Sequence, residues 1–557
     1  VKTLTDTFGT GPGVKAAAYI NSKTGADGIF IRLAKTTVSA VTSAVDKTLV
    51  AGTAVPTVSG TPLDGYDVQV VITTAGTIGT SFSYKYSLDG GETFTAPISA
   101  GSSTSLTLTG TGLTIGLTST QTFVLADVFT FYTLPASESV QPVTTTRSGT
   151  STCVVTVTGT PEDTYEARVE VLTGGTIAAA GIVFRYSLDG GRTFSGSIAL
   201  GTAVTYALKD GPISTEAAGI SLAFAAGTLE VGDYVTFTTT GPEWQASDAE
   251  AALAILRSGN LSWSFLHGVG TLSFTTLGAL STVLASWATK TKFSWHLGSV
   301  RDWGTYEPET AWIARLLTAR AGYASTRSTP AAGYSRTVCP ITGRQNRRPA
   351  SWNAVARAIR VPVQVDIGQQ SGANGGALEA DVLLHDSAGL LVEHDANANS
   401  ALYDAGFIVL RSFDDQAGVW LAGGNLMGAA DDLQRLTDRR VLNIVNEVTQ
   451  RATTAQLLQS FRRWKAPVTA PYVAGDIFEP DAVRIERFVA AALKQQVVAL
   501  GMASGVEVTL TRTPVSIGVG LWKLVLRVKV NGLAYIGQFT SEVGFIDPAL
   551  DKILNAA

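Results

Sequence analysis

Val58-Ser59-Gly60-Thr61-Pro62 returns as Val157-Thr158-Gly159-Thr160-Pro161, 99 positions further on. The copy continues through Thr77-Ile78 and Thr176-Ile177. Tyr86-Ser87-Leu88-Asp89-Gly90-Gly91 recurs 100 positions later as Tyr186-Ser187-Leu188-Asp189-Gly190-Gly191, and Asp127 and Phe131 recur 106 positions later as Asp233 and Phe237. A repeat of this length builds one unit twice, and the growing offset places the extra residues in loops, where insertions are tolerated. Within a copy, Tyr165, Ala167, Val169 and Val171 alternate with Glu166, Arg168 and Glu170. That period of two sets one face of a strand into a core and the other towards water. Short strands separated by Gly, Thr and Asp-Gly turns predict a small β-sandwich in each copy.

Ser87 to Phe94 and Ser187 to Phe194 both fit S-x-D-x-G-x-T-[WF], the Asp-box pattern familiar from sialidases. A glycosidase or glycan-binding module is therefore a competing function. The physics of the motif is that of a turn: Asp89 and Asp189 accept backbone N–H groups, and Gly91 and Gly191 supply positive φ. No catalytic group belongs to it. A sialidase-like site needs several such boxes at propeller spacing and an arginine cluster about a nucleophilic tyrosine, and the sequence holds two boxes, one per copy.

At 557 residues the chain outgrows a single hydrophobic core. Charged residues make up 15% of it against about 25% in an average soluble protein, so much surface must be covered, by the chain itself or by neighbouring copies. The net charge of -4 offers no general attraction to nucleic acid or anionic lipid. Cys153 and Cys339 stand far apart, in no disulfide or zinc spacing. The charge-free run between His267 and Lys290 carries Gly270, Thr271, Ser273, Thr275, Thr276, Ser281 and Ser286, which suits a buried segment better than a bilayer. No basic region followed by an apolar run opens the sequence.

From about Trp244 the pattern changes to alternating helices and strands. Helices are expected from Ser247-Asp248 to Arg257, from Leu277 to Thr289 and from Glu307 to Ala319, with strands over 261–266 and 293–297, an α/β layer. A long helix is expected after Gly428, opened by Asp431 and Asp432, with Leu433, Leu436, Val441, Ile444 and Val448 on one side. A second follows Pro480, with Ile485, Val489, Leu493, Val497 and Leu500 at helical spacing up to a cap at Gly501. Strands over 506–511 and 521–530, an Asn531-Gly532 turn and a strand over 533–539 close the chain as a hairpin. The expected fold class is multidomain α+β: an α/β core with a C-terminal β-hairpin, carrying two tandem inserted β-sandwich modules. The segments are 1–50, 51–142 and 143–243 (the two modules), 244–430 and 431–557.

The succession of 354–364, 402–410, 431–451 with Thr437-Asp438-Arg439-Arg440-Val441, and the closing 535–545 resembles the core of contractile tail sheath proteins of phages and related injection systems. It spans residues 1 to 50 and 244 to 550, with the modules as an insertion. The resemblance implies a structural protein and no enzyme: a homo-oligomer of hexameric rings stacked around a tail tube protein, bounded by baseplate and tail terminator proteins. It implies a place in a virion tail assembled in host cytoplasm, and contraction by lattice rearrangement. Neither nucleic acid, direct membrane insertion nor any cofactor is implied. Terminal arms would add strands to neighbours' sheets, with Leu524, Leu526, Val528, Val530, Tyr535 and Ile536 as candidates for that pairing, and with residues 1 to 30 as the other arm. Arg439, Arg440, Arg462 and Arg463 are candidates to face an acidic tube, and Arg344, Arg347 and Arg348 form a second basic cluster, of the kind that is usually a solvated face. Another self-assembling shell protein is the third reading.

Other chemistry finds little support. No Walker A or complete G-x-G-x-x-G pattern occurs. His385-Asp386 and His394-Asp395 match no compact ligand spacing and suggest loop or surface histidines. Asp395, Asn397 and Asn399 imitate the start of a calcium loop, but Ser400 stands where glycine is needed and no glutamate ends the loop.

Overall fold

The structure is a computed structural model that describes residues 2–211, 217–258, 263–386, 388–414, 416–429, 433–466, 468–469, 471, 473–518 and 521–533. The chain divides into two compact units, Val1–Asn443 and Ile444–Ala557.

In the first unit each sequence copy forms two facing sheets. Strand Asp67–Thr74 lies between Val128–Leu134 and Ser83–Ser87, with Val68 opposite Phe131 and Val70 opposite Phe129. Alternation along these strands turns Val68, Val70, Ile72, Tyr84, Phe129 and Phe131 inward. There they meet Leu106, Leu108, Leu113 and Ile115 from the three-stranded sheet Thr57–Gly60, Leu113–Gly116, Ser105–Leu108 in one core. The second copy repeats the order. Glu166–Thr173 lies between Tyr234–Thr238 and Val183–Ser187, and Val155–Gly159, Ala217–Phe224 and Thr205–Lys209 form the facing sheet. Its core gathers Tyr165, Ala167, Val169 and Val171 with Leu208, Ile220 and Leu222.

Two short strands precede residue 51, the expected start of the first module. Val41–Thr42 and Asp46–Thr48 both pair with Val128–Leu134. Both modules leave and rejoin the chain at closed points: Ser137 N donates to Val38 O at 3.0 Å, Thr240 N to Ser139 O at 3.0 Å and Thr36 N to Glu243 O at 3.0 Å.

The rest of the first unit holds helices α1 (Lys2–Phe8), α2 (Pro12–Thr24), α3 (Ala246–Ser258), α4 (Phe274–Ala288), α5 (Glu309–Arg320), α6 (Ala350–Arg360) and α7 (Ala401–Asp404). Strands Phe265–Thr271, Trp295–Ser299 and Ser328–Ala331 run parallel, with α4 and α5 as the crossovers between them. Apolar faces of α3, α4 and α5 bury Leu253, Leu277, Leu284, Trp312 and Leu316 in one core. On the other side Trp295, Leu297, Ala354, Val355 and Ile408 form a second. Ala319, at the end of the expected helix, is exposed, while Ile313 is buried with Trp312 and Leu316. The N-terminal residues, expected as an extended arm without a core, instead form α1 and α2. Pro12 stands in the first turn of α2, and Gly25, at φ +64°, ends it.

Helix α8 (Leu436–Thr454) crosses the division between the units. Asp431 and Asp432, expected at its start, lie outside the described residues. In the second unit α9 (Glu479–Leu493) continues through a π-helical turn, Lys494–Val498, to Gly501 at φ +69°. It packs on strand Gly505–Leu510 through Ala482, Ile485 and Leu510, with Ile477 beside them. The expected strand over 521–530 is two strands. Leu521–Lys523 pairs with Val515–Gly518, and Leu526–Asn531 pairs with Gly505–Leu510.

Candidate docking corners and assembly surface

Each module meets the rest of the first unit through the same corner, the four residues that enter its central strand. In the first module this is Asp64-Gly65-Tyr66-Asp67. Thr133 Oγ1 donates to Asp64 O at 2.9 Å and accepts from Tyr66 N at 3.1 Å. In the second it is Asp163-Thr164-Tyr165-Glu166, where Thr239 Oγ1 donates to Asp163 O and accepts from Tyr165 N, both at 2.9 Å. The first corner rests on α5 and the loop before it. Tyr66 stacks on Tyr306 at 5.3 Å, and Arg315 reaches both Asp67, at 2.8 Å, and Glu307. Gly65 and Gly304 approach so closely that a Cβ on Gly304 would lie 3.1 Å from the Gly65 carbonyl oxygen. The second corner rests on the hairpin Tyr334–Val338 and Gln345–Pro349. Arg348 holds Asp163 through two bonds of 2.8 and 2.7 Å, Arg336 holds Glu166 at 2.8 and 3.0 Å, and Arg344 pairs with Asp210. Asp67 and Glu166 are equivalent positions of the repeat, and each is claimed by an arginine from outside its module.

The basic run at 344–348 is thus not a solvated face. Arg347 completes the seam by binding Glu393 at 2.8 Å through two nitrogens and Asp302 at 2.7 Å. Bidentate guanidinium–carboxylate geometry is what lets charge be buried here at all. Burial by itself would raise Asp163, but Arg348 and then Lys15 outweigh it and hold the carboxyl below the usual range. Lys15, 1% exposed, touches both Asp163 and Asp210. Its burial, which would depress it, is overcome by those two carboxylates, so it stays above its ordinary value. Two acids at the same seam shift the other way. Burial lifts Glu243 to about 7, and burial lifts Asp302 as well, against the pull of Arg347 and with the help of the neighbouring Glu393 carboxylate.

The Asp-box turns lie beside these corners. In the first, Gly91 N donates to Ser87 Oγ at 2.8 Å and Thr93 N to Asp89 Oδ1 at 2.9 Å. The second repeats this with Gly191 N on Ser187 Oγ at 2.8 Å and Thr193 N on Asp189 Oδ1 at 2.8 Å. Gly91 sits at φ +100° and Gly191 at +92°, and a Cβ on Gly91 would lie 2.2 Å from Gln69 Oε1. Gly90 N and Gly190 N bond back to Asp67 O and Glu166 O at 2.8 and 2.7 Å, tying each turn to its docking corner. Asp189 is fully buried, and its Oδ2 accepts from Gln345 N of the hairpin at 3.1 Å. Its carboxylate is occupied by the protein.

Two of the four arginines expected to face a tube are buried. Arg439 Nε donates to Thr326 O at 2.8 Å, and Arg440 Nη2 donates to Ala358 O and Val361 O, both at 2.9 Å. Arg440 therefore satisfies carbonyls at the C-terminal end of α6, where a cation is favoured by the helix dipole. Arg462 and Arg463 are exposed. Arg462 binds Asp481 through two nitrogens at 3.1 and 3.0 Å, and Arg463 lies 3.9 Å over the ring of Trp522 while donating to Gly475 O at 2.6 Å.

Sequence reasoning missed the exposed face of α9. Its acids turn elsewhere: Glu479 and Glu486 clamp Arg512, and Asp481 takes Arg462. The charged side chains left exposed on this helix and its π-helical turn are Arg484, Arg487 and Lys494, with Phe488 among them. Four-residue and seven-residue spacing from Arg484 to Phe488 and from Arg487 to Lys494 was the available signal.

Of the strand-pairing candidates, Leu526, Val528 and Val530 are half-buried and alternate with exposed Arg527 and Lys529. Leu524 lies between strands and packs with Leu526 on the α9 core. Tyr535 and Ile536 lie outside the described residues. His394 is buried, not on the surface: its Nδ1 sits 2.6 Å from Glu309 Oε1, and its ring meets Trp312 edge-on. Asp395 accepts from Asn397 N and Ser412 N as a structural turn. Among the described residues no group of three His, Cys, Asp or Glu could hold a metal ion, and no helix is long and apolar enough to cross a membrane.

No protein-family model matches the chain, and no curated protein does. Solved structures do. The chain is similar to contractile sheath proteins. The helical sheath of the anti-feeding prophage in its contracted state is 14% identical at a TM-score of 0.35, over 57% of this chain and 79% of that one. The sheath of the extracellular contractile injection system PVC, also contracted, is 13% identical at 0.34, over 56% and 77%. A sheath tail protein of Desulfitobacterium hafniense is 10% identical at 0.32, over 70% and 83%.

Proposed function

We propose that the chain is the structural subunit of a contractile tail sheath. It polymerises as stacked hexameric rings around a tail tube, between baseplate and terminator proteins, and shortens by lattice rearrangement to drive the tube through a cell envelope. The two repeats are β-sandwich modules inserted into its core, and its place is the virion tail, assembled in host cytoplasm. The observation that carries the reading is the exposed side of α9. In a chain of net charge -4, this helix presents Arg484, Arg487 and Lys494 while its own acids are engaged elsewhere. Such a face suits a partner with an acidic surface, and a tube running through the rings is that partner. Arg463, exposed over Trp522, adds to the basic surface, while the charge of Arg462 is matched by Asp481. Strand pairing between copies uses the region of Leu524, Leu526, Val528 and Val530. Sugar chemistry is disfavoured by the use of the second Asp box as a docking contact.

The test is co-expression of this chain with its tube protein, followed by electron microscopy. The triple variant R484E/R487E/K494E should leave a folded subunit that forms sheath without tube inside it, or no sheath. Tubes of normal length around a normal core would remove α9 from the interface.

A further inference from the structure

Helix α2 is held at three points. Ala16 and Tyr19 pack on Trp352 and Ala356 of α6, with the Tyr19 hydroxyl donating to Asn353 Oδ1 at 2.5 Å. Lys23 pairs with Asp381 at 2.7 Å. Lys15 enters the foot of the second module, between Asp163 and Asp210.

That last socket is complete without the helix. Asp163 already has both nitrogens of Arg348, and its Oδ1 also accepts from Thr164 N at 2.8 Å. Asp210 already has Arg344 and the Tyr165 hydroxyl, the latter at 2.8 Å. With α2 in place the buried cluster holds three cations, Lys15, Arg344 and Arg348, against two carboxylates. With α2 gone it holds two against two. A buried ion pair is costly to break when one charge is left alone, and here the departure of Lys15 leaves no carboxylate alone. The apolar hold rests on two large side chains, Tyr19 and the partly buried Ile20, beside the smaller Val14, Ala16 and Ala18. Beyond Gly25 neither helix nor strand precedes Ile31, which packs on the core of α3, α4 and α5, and Thr36, which is fixed to Glu243 O, so residues 26–30 are the tether about which α2 moves.

We propose that α2 is a releasable latch on the second module: Lys15 seats the helix in a charge socket that stays closed when the helix leaves, so the N-terminal segment detaches without unseating the module. The device stands apart from what the chain assembles into. It belongs to the class of local openings that cost less than global unfolding.

Amide hydrogen exchange of the full chain, followed by mass spectrometry, tests it. In the unaltered protein, peptides covering 12–24 should exchange at least about tenfold faster than those covering 166–171 and 217–224. In Lys15→Met the first group should accelerate a further tenfold or so, while the second changes less than about twofold. Exchange of all three regions at one common rate, before or after the substitution, overturns the latch. So does unchanged exchange over 12–24 in the variant. Should Lys15→Met fail to fold, the comparison within the unaltered protein still decides between a latch and a single cooperative body.

Discussion

Asp163 shows how a single residue fixes a module. It is 1% exposed and accepts two bonds from Arg348, so the pair works only as a pair. Arg348→Met removes two hydrogen bonds from Asp163, leaves Lys15 as its remaining cation, and should destabilise the first unit by about 1–3 kcal/mol in denaturant titration. A loss under about 1 kcal/mol would mean that Lys15 alone suffices. Glu243 and Asp302 point to a second outcome, in pH. Both are raised in the folded chain, Glu243 to about 7, whereas in an unfolded chain glutamate and aspartate titrate near 4. Between those values the folded state binds more protons at these two groups than the unfolded one, so their contribution to stability falls as pH rises from about 5 through 7. Burial holds His267 and His296 low, to about 4 and about 3, and these act in the opposite sense below about pH 6.5, so the two acids are read from the difference between chains: Glu243→Gln with Asp302→Asn should raise the unfolding temperature at pH 8 relative to that at pH 5.5. A difference between the two pH values that is unmoved by the double substitution would contradict the assignment.

At the scale of elements, legibility followed the geometry of burial. The alternation of Tyr165, Ala167, Val169 and Val171 was readable because each residue faces the core of its own module, and a period of two has one physical cause. Helix α9 was readable for the same reason, with Ile485, Val489, Leu493 and Val497 all buried. Where a partner lies far away in sequence, the pattern misled. Arg439 and Arg440 look like surface charges, yet Leu436, Arg439, Arg440 and Asn443 stand at helical spacing and all are buried. Their stems cover apolar surface while their heads bind carbonyls of residues 326, 358 and 361. The arginines at 344–348 were misread likewise, because the acids that neutralise them are Asp163, Asp210, Asp302 and Glu393. In α2 the capping signals, Pro12 and Gly25, are present in the sequence. The docking role of the Asp-box corners had no local signal, since it depends on Arg315 and Arg336 arriving from other elements.

For the whole molecule the decisive geometry is closure. Thr36 N and Glu243 O are hydrogen-bonded, and Thr36 Oγ1 donates to Asp248 Oδ2 at 2.6 Å at the start of α3. The chain between them departs and comes back to the same place, so its removal stretches nothing. Two consequences oppose one another. Excising 37–242 strips Asp67, Glu166, Asp163 and Asp210 from Arg315, Arg336, Arg348, Arg344 and Lys15. It also opens that seam to water, where an unpaired arginine is hydrated and costs little, unlike the same arginine left buried. The cores around Leu277, Leu284 and Trp312 and around Trp295, Leu297 and Val355 include no residue of the modules. A chain in which Thr36 is joined to Glu243 through Gly-Ser should therefore remain folded, with a cooperative thermal transition and a circular dichroism spectrum richer in helix than that of the full chain. If the shortened chain is unfolded or melts without cooperativity, the modules are part of the core and not insertions in it. Within the sheath reading the same variant asks more: it should still build rings around a tube, because α9 and the strands beside it lie outside the excised residues.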